Sequence, residues 1–87
     1  MIVEIYSKLD CPYCVQAENL CKQNHINIDY TKYMLDVDFT REELFEKFPT
    51  ARTFPQIVVD DESIGGFMEF QEMVNERKTL NNVRNNS

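Results

Sequence analysis

The sequence Cys11-Pro12-Tyr13-Cys14 places two thiols one helical turn apart, between a short apolar run and a helical pattern. The run Ile2 to Tyr6 is rich in β-branched and aromatic residues and predicts a buried central strand. Val15 to Asn24 predicts a helix that begins at Pro12, where the missing N–H costs no hydrogen bond. Cys11 then lies at a helix N-terminus, whose unpaired N–H groups and dipole favour an anion. The stretch therefore predicts an activated cysteine with a second thiol behind it.

The composition fits one small soluble domain. The chain has 87 residues, of which 43% are hydrophobic and 28% charged, enough for one core but not for two. Its formal net charge of −6 argues against general binding to nucleic acid or to anionic membranes, which requires basic surfaces. The sequence contains neither a signal-peptide pattern nor an apolar run of membrane-spanning length.

The three cysteines are typical of a cytosolic redox or metal site rather than of a disulfide framework. We therefore expect a cytoplasmic monomer that binds neither nucleic acid nor membrane. One domain is expected over residues 1–80, followed by a polar, frayed tail over residues 81–87.

The remaining patterns predict a mixed α/β fold. A second strand over Ile26 to Tyr33 follows the first helix, so the two strands are expected to pair in parallel through a right-handed crossover. Thr40 and Glu43 match a capping box and predict the start of a second helix. The side chains expected on the buried side of that helix are Leu44, Phe45 and Phe48.

The C-terminal half of the chain predicts a hairpin and a final helix. Gln56 to Asp60 is expected to form a third strand, Asp60 to Glu62 a tight turn, and Ser63-Ile64 an antiparallel fourth strand. Gly65-Gly66 then leads into a helix. Its apolar residues recur at helical spacing, namely Phe67, Phe70, Met73 and Val74. The element order is therefore βαβαββα.

A metal site is a second interpretation of the cysteines. Cys11, Cys14, Cys21 and His25 make a nominal set of zinc ligands. On one continuous helix the first and last lie about 21 Å apart, and one zinc ion with bonds of about 2 Å cannot gather them. We therefore expect no metal. Cys21 lies about 10 Å along the helix from Cys14, too far for a disulfide, and is expected to be a core residue.

A redox site needs a nucleophilic thiolate, a second thiol within reach and a surface that holds the partner. Cys11 is the expected nucleophile, because the helix terminus and Lys8 both lower its pKa. Cys14 is the expected resolving thiol. Thr53-Phe54-Pro55-Gln56-Ile57 places a proline directly before an apolar strand, where a cis bond would present the Phe54 backbone to an extended peptide. From the residues alone, an ordinary trans proline remains the alternative.

Three stretches together resemble a dithiol glutaredoxin of the thioredoxin superfamily. They are Lys8 to Cys14, Thr53 to Ile57, and Ile64-Gly65-Gly66-Phe67, and the likeness extends over about residues 2 to 80. The resemblance implies a thioredoxin-like fold, a four-stranded mixed sheet flanked by three helices. It also implies a thiol–disulfide oxidoreductase that uses glutathione as reductant. Its expected substrates are protein disulfides and protein–glutathione mixed disulfides, with ribonucleotide reductase as a candidate partner.

The resemblance also implies a role for each site residue. Cys11 attacks, and either Cys14 or glutathione resolves the mixed disulfide. Pro55 is expected in cis, and Arg41 and Arg52 are alternatives for the glycine carboxylate of glutathione. The full set of implied glutathione-binding residues is Lys8, Tyr13, Arg41, Arg52, Thr53, Phe54, Pro55, Gly66, Phe67 and Met68.

Two departures from the family pattern bear on glutathione affinity. Phe54 stands where the family usually has Val or Ile and is expected to crowd the groove. Phe67-Met68-Glu69 stands where a small residue, a hydroxyl or acidic residue and Asp are usual. Met68 cannot offer a side-chain hydrogen bond, so we expect a loss of about 1 kcal/mol of binding. Glu69 is a partial substitute, with a charge that suits the ammonium of the ligand.

The sequence leaves two other functions open. One is a glutaredoxin-like protein reduced by thioredoxin reductase. The other is a carrier of a [2Fe–2S] cluster held by Cys11 from two chains and two glutathiones, an arrangement that Pro12 is expected to disfavour.

Overall fold

The computed structural model describes residues 1–23 and 28–86, with side chains as far as Glu76. The helices and strands follow the expected order, and their bounds are β1 Ile2–Ser7, α1 Pro12–Gln23, β2 Asp29–Met34, α2 Arg41–Lys47, β3 Gln56–Val59, β4 Glu62–Gly65 and α3 Phe67–Asn86. The expected end of the first helix at Asn24-His25 and the expected start of the second strand at Ile26 lie outside the described residues.

The strands form one four-stranded sheet in the order β2-β1-β3-β4. β1 pairs in parallel with β2, from Ile2 beside Asp29 to Ser7 beside Met34. It pairs antiparallel with β3, which in turn pairs antiparallel with β4. The predicted mixed sheet with a central first strand is confirmed, and α1 begins directly beyond the carboxyl end of that strand.

Alternation along β1 divides the core between the two faces of the sheet. Val3 and Ile5 pack with Ala17 of α1 and Phe70 of α3 on one face. Tyr6 points to the other face, where it packs with Leu44 of α2. Successive side chains of a strand point to opposite faces of the sheet, so odd- and even-numbered residues of β1 pack against different helices.

The start of α2 is a complete capping box. The Thr40 side chain accepts a hydrogen bond from the Glu43 N–H, and the Glu43 carboxylate accepts one from the Thr40 N–H. Leu44 and Phe48 are buried as expected, but the prediction for Phe45 is wrong, because its side chain is 48% exposed. Phe45 lies about 100° around the helix from Leu44, and so short a helix buries only one narrow stripe.

The β3–β4 turn is tighter than predicted. Asp60 and Asp61 both have positive φ, at 49° and 68°, and alone connect Val59 to Glu62. Positive φ at both central residues defines the turn type that matches the twist of a hairpin. β3 therefore ends one residue earlier than expected, and β4 begins at Glu62 and extends to Gly65.

α3 packs its first turns on the core. Phe67, Phe70 and Val74 are buried, and Met73 is partly buried against them, as its helical spacing predicts. The division of the chain into a domain over residues 1–80 and a tail over 81–87 stays a prediction. No helix within the described residues combines the length and the apolar character needed to cross a membrane.

Candidate active site

Cys11 and Cys14 form a disulfide at the junction between the β1–α1 loop and α1, with their Cα atoms 5.2 Å apart. The two residues are 8% and 4% exposed, so the nucleophile predicted from the sequence is the slightly more accessible one. Asp10 directly precedes the pair with a φ of 54°, a left-handed conformation that Asp adopts more readily than most residues.

Backbone N–H groups of the first helical turn point at Cys11. The Cys14 N–H lies 3.3 Å from the Cys11 sulfur. The N–H groups of Cys14 and Val15 also donate to the Cys11 carbonyl, at 3.1 and 3.2 Å. Cys11 thus caps α1, and the unpaired donors and the dipole at this end favour negative charge on its sulfur. Attack by Cys11 as a thiolate stays a prediction, and this geometry favours it.

The Lys8 to Cys14 stretch and the proline loop meet through Lys8 and Phe54. The Lys8 ammonium lies 5.6 Å from the centroid of the half-buried Phe54 ring, within reach of a cation–π contact. The Phe54–Pro55 peptide bond is cis, as the resemblance implies, and Pro55 is buried.

The glycine pair lies beside both of the other stretches. A Cβ built on Gly66 would lie 3.5 Å from the Pro55 carbonyl oxygen, which shows how closely the two backbones approach. Tyr13 stacks on Phe67, with ring centroids 5.7 Å apart and planes inclined by 27°. All three stretches that carried the resemblance therefore converge beside the disulfide.

Four of the residues expected to bind glutathione are exposed, and they lie in three different parts of the fold. Met68 is 64% exposed in the first turn of α3. Arg52 and Thr53 are exposed in the loop just before Phe54, whereas Arg41 is exposed at the start of α2. The choice between the two arginines as carboxylate partners stays open.

Glu69 has a structural role that sequence reasoning missed. Its carboxylate accepts a hydrogen bond of 3.0 Å from the Gly66 N–H and so caps α3. Gly65 has a φ of 108°, and a Cβ there would lie 3.2 Å from the Glu69 Cδ. The sequence does contain a pattern that predicts this cap, because Gly66 and Glu69 have the spacing at which the glutamate of a capping box accepts from the first backbone N–H.

A cleft of about 570 Å³ opens on the other side of the disulfide, between α1 and the carboxyl ends of β1 and β2. Glu18 and Lys32 face each other in it, with the ammonium and carboxylate 3.5 Å apart. The Tyr30 hydroxyl donates to the same carboxylate at 3.1 Å. The lining residues are Ser7, Lys8, Leu9, Asp10, Cys11, Pro12, Cys14, Val15, Glu18, Lys32 and Met34.

Cys21 lies in the core and not at the site. It is 7% exposed and packs in the cluster that contains Val3 and Ile5. Burial, and secondarily the negative charge of Glu18, raises the pKa of its thiol to about 11. The expectation of a core residue is confirmed. Among the described residues no group of three or more His, Cys, Asp or Glu side chains is arranged to hold a metal ion, and His25 lies outside them.

A disulfide at the N-terminus of a helix, beyond a central strand and beside a cis-proline loop, defines a thiol–disulfide oxidoreductase of the thioredoxin-like class. Residues 3–64 match the family model described as Glutaredoxin. A Haemophilus influenzae glutaredoxin is 33% identical over 82 residues, covering 88% of this chain and 94% of the relative. Glutaredoxin 1 of Escherichia coli is 35% identical over 77 residues, covering 83% and 91%. The chain belongs to the glutaredoxin family.

Solved structures agree with this assignment. The solution structure of reduced Escherichia coli glutaredoxin has a TM-score of 0.72 and 32% identity, and the match covers 87% of this chain and 95% of that one. The crystal structure of glutaredoxin 1 from Francisella tularensis complexed with cacodylate has a TM-score of 0.64 and 34% identity, with 92% and 96% covered. The thioredoxin-like fold predicted from the sequence is thereby confirmed.

Proposed function

We propose that this oxidoreductase is glutathione-dependent and reduces protein disulfides and protein–glutathione mixed disulfides in the cytoplasm. The observation that carries the proposal is the convergence of the Cys11–Cys14 disulfide, the cis Phe54–Pro55 bond and Gly66 at one end of the sheet. This arrangement sets a reactive sulfur beside backbone that an extended tripeptide can pair with.

The chemistry begins at Cys11. Its thiolate attacks one sulfur of a substrate disulfide, the substrate S–S bond breaks, and the leaving thiolate takes a proton from solvent. In the dithiol route the Cys14 thiolate then attacks the Cys11 sulfur and releases the second substrate thiol. The substrate has gained two electrons and two protons, and the protein holds the Cys11–Cys14 disulfide. Two glutathione thiols return both electrons and protons and leave as glutathione disulfide.

The residues that would hold glutathione surround Cys11. The Phe54 backbone would pair with the cysteine residue of the tripeptide, and the stacked rings of Tyr13 and Phe67 would wall the groove. The Gly66 N–H would face the γ-glutamyl end. That N–H already bonds to Glu69, so the ligand must compete with a carboxylate of the protein itself.

Two coupled enzyme assays distinguish this proposal from the alternative that thioredoxin reductase reduces the protein. NADPH oxidation is followed with glutathione and glutathione reductase, and in parallel with thioredoxin reductase, using one glutathionylated and one disulfide-bonded protein as substrates. We expect turnover in the first system only. Turnover confined to thioredoxin reductase would overturn the proposal. A [2Fe–2S] absorption spectrum in anaerobically purified protein, lost in Cys11→Ser, would instead assign a cluster-carrying function.

Ribonucleotide reductase is one proposed acceptor of electrons. The purified glutaredoxin, with glutathione and glutathione reductase, should sustain deoxyribonucleotide formation by the reductase of the same organism. Omission of glutathione should stop it. Continued synthesis without glutathione would remove this reductase from the proposed glutathione-dependent partners.

A further inference from the structure

Ser7 is a buried polar residue that the reaction described above leaves unused. It is the last residue of β1 and is 1% exposed. Its hydroxyl oxygen makes no hydrogen bond to any residue that the structure describes. A buried hydroxyl without a partner is costly, so most such groups in native proteins find one.

Because successive side chains of β1 alternate between the two faces of the sheet, Ser7 lies on the face that α1 covers. Val3 and Ile5 face α1 and α3, and Ser7 follows at the next position of the same parity. The hydroxyl therefore faces the side of α1 on which Cys14 is buried. Ser7, Cys11 and Cys14 line the same cleft.

The two sulfurs differ in the donors that surround them. The Cys11 sulfur already lies 3.3 Å from the Cys14 N–H at the helix terminus. In the disulfide, the Cys14 sulfur is uncharged and a weak acceptor. Reduction adds two electrons and two protons to the pair, supplied by two thiols of the reductant, and breaks the S–S bond. Cys14 then carries a thiol that ionises to a thiolate, a much stronger acceptor.

We propose that the Ser7 hydroxyl donates a hydrogen bond to the Cys14 sulfur in the reduced protein and stabilises the resolving thiolate. Ser7 is thus a positioning residue for the dithiol step. The inference rests on the oxidoreductase function of the family, but not on which reductant supplies the electrons.

The two cations that line the cleft, Lys8 and Lys32, each have another partner. Among the residues that the structure describes, the charged ones that line the cleft are Lys8, Asp10, Glu18 and Lys32, two of each sign. The Glu18 carboxylate and the Lys32 ammonium pair at 3.5 Å, and the Lys8 ammonium lies over the Phe54 ring. From the other elements, α3 contributes the apolar Phe67 and Phe70 to the core on this face of the sheet. An uncharged donor at Ser7 therefore complements the thiolate without a second buried charge.

The consequence for the reaction follows from thiolate chemistry. A hydrogen bond to the charged form lowers the pKa of Cys14, which raises its thiolate fraction at neutral pH. A lower pKa also weakens the nucleophile, with a Brønsted coefficient of about 0.4–0.5. A tenfold gain in thiolate therefore speeds the attack of Cys14 on the mixed disulfide about threefold.

The first test measures the pKa of each thiol separately, without glutathione. The absorbance of the thiolate is titrated for Cys14 in a Cys11→Ser background and for Cys11 in a Cys14→Ser background, with and without Ser7→Ala. We expect Ser7→Ala to raise the Cys14 pKa by about one unit, tenfold in the ionisation constant, and to leave Cys11 unchanged. Ser7→Thr, which retains the hydroxyl, should restore the Cys14 value. The matched control is Ser63→Ala, an exposed serine of β4.

The second test measures the redox equilibrium against a dithiol buffer over a range of pH. Ser7→Ala removes a contact made only in the reduced state, so the disulfide becomes favoured and the potential falls. The fall in potential should grow with pH. Above the pKa of Cys14 it should approach about 30 mV, which corresponds to a tenfold change in the redox equilibrium constant. A merely structural defect would shift the potential equally at every pH, which would contradict the proposal.

Other results would also overturn it. An unchanged Cys14 pKa in Ser7→Ala, or a shift confined to Cys11, would show that the hydroxyl does not serve the resolving thiol. Should Ser7→Ala fail to fold, a crystal structure of the reduced wild-type protein decides. The Ser7 oxygen is expected within hydrogen-bonding distance of the Cys14 sulfur, and a hydroxyl turned to a different acceptor would refute the assignment. None of these readouts depends on glutathione turnover, so they stand apart from the proposed function.

Discussion

At the scale of single residues, the two active-site cysteines should have separable roles, because only Cys11 lies at the helix terminus with an N–H directed at its sulfur. We expect Cys14→Ser to retain the removal of glutathione from a glutathionylated protein and to lose the dithiol reduction of a protein disulfide. Cys11→Ser should abolish both. Coupled NADPH oxidation measures each rate, and activity that survives in Cys11→Ser would reverse the role assignment.

Glu69 allows a second prediction at this scale. Its carboxylate bonds to the Gly66 N–H, where the γ-glutamyl carboxylate of the proposed ligand would approach. We expect Glu69→Gln to lower the KM for glutathione about two- to fivefold, because one nearby charge at a helix terminus is worth about 0.3–1 kcal/mol. Glu72→Gln, an exposed position in the same helix, is the matched control. An unchanged or higher KM in Glu69→Gln would show that the carboxylate does not compete with glutathione.

At the scale of elements, the stability of the short helix α2 depends on its N-terminal cap. It has seven residues, too few to be stable alone, and both halves of its capping box are formed. We expect Thr40→Ala to lower the free energy of unfolding by about 1 kcal/mol. Glu46→Ala, at an exposed position of the same helix, should change it by less than about 0.5 kcal/mol. Chemical denaturation measures both, and equal effects of the two substitutions would contradict the role of the cap.

The same elements show which features a sequence reveals. The capping box at Thr40 and the helix start at Pro12 are each specified by a few neighbouring residues, and both are present as predicted. Phe45 was misplaced because its burial depends on how much of α2 the sheet covers, which no local pattern states. The burial of Ser7 has no local signal for the same reason, because it depends on the tertiary packing around the end of β1.

At the scale of the whole molecule, six acidic side chains of α2 and of the β3–β4 hairpin are exposed, namely Glu42, Glu43, Glu46, Asp60, Asp61 and Glu62. With a formal net charge of −6, the protein repels anionic substrates such as glutathione adducts of acidic proteins. We expect kcat/KM for such a substrate to rise between about 0.01 and 0.1 M salt, as the Debye length falls from about 30 to about 10 Å. A basic glutathionylated protein should show the opposite trend. Rates that do not change with salt for either substrate would exclude steering by the net charge.

The strand order has a consequence for self-association. β2 and β4 form the two edges of the sheet, and an exposed edge is a template for pairing with a second chain. β4 is only four residues long and begins with the exposed Glu62 and Ser63. β2 carries exposed Asp29, Thr31 and Lys32 along its length. Short edges and charged edge residues are the devices by which natural sheets resist edge-to-edge aggregation. The disulfide, which lies beyond the end of the inner strand β1, can therefore open and close away from both edges of the sheet.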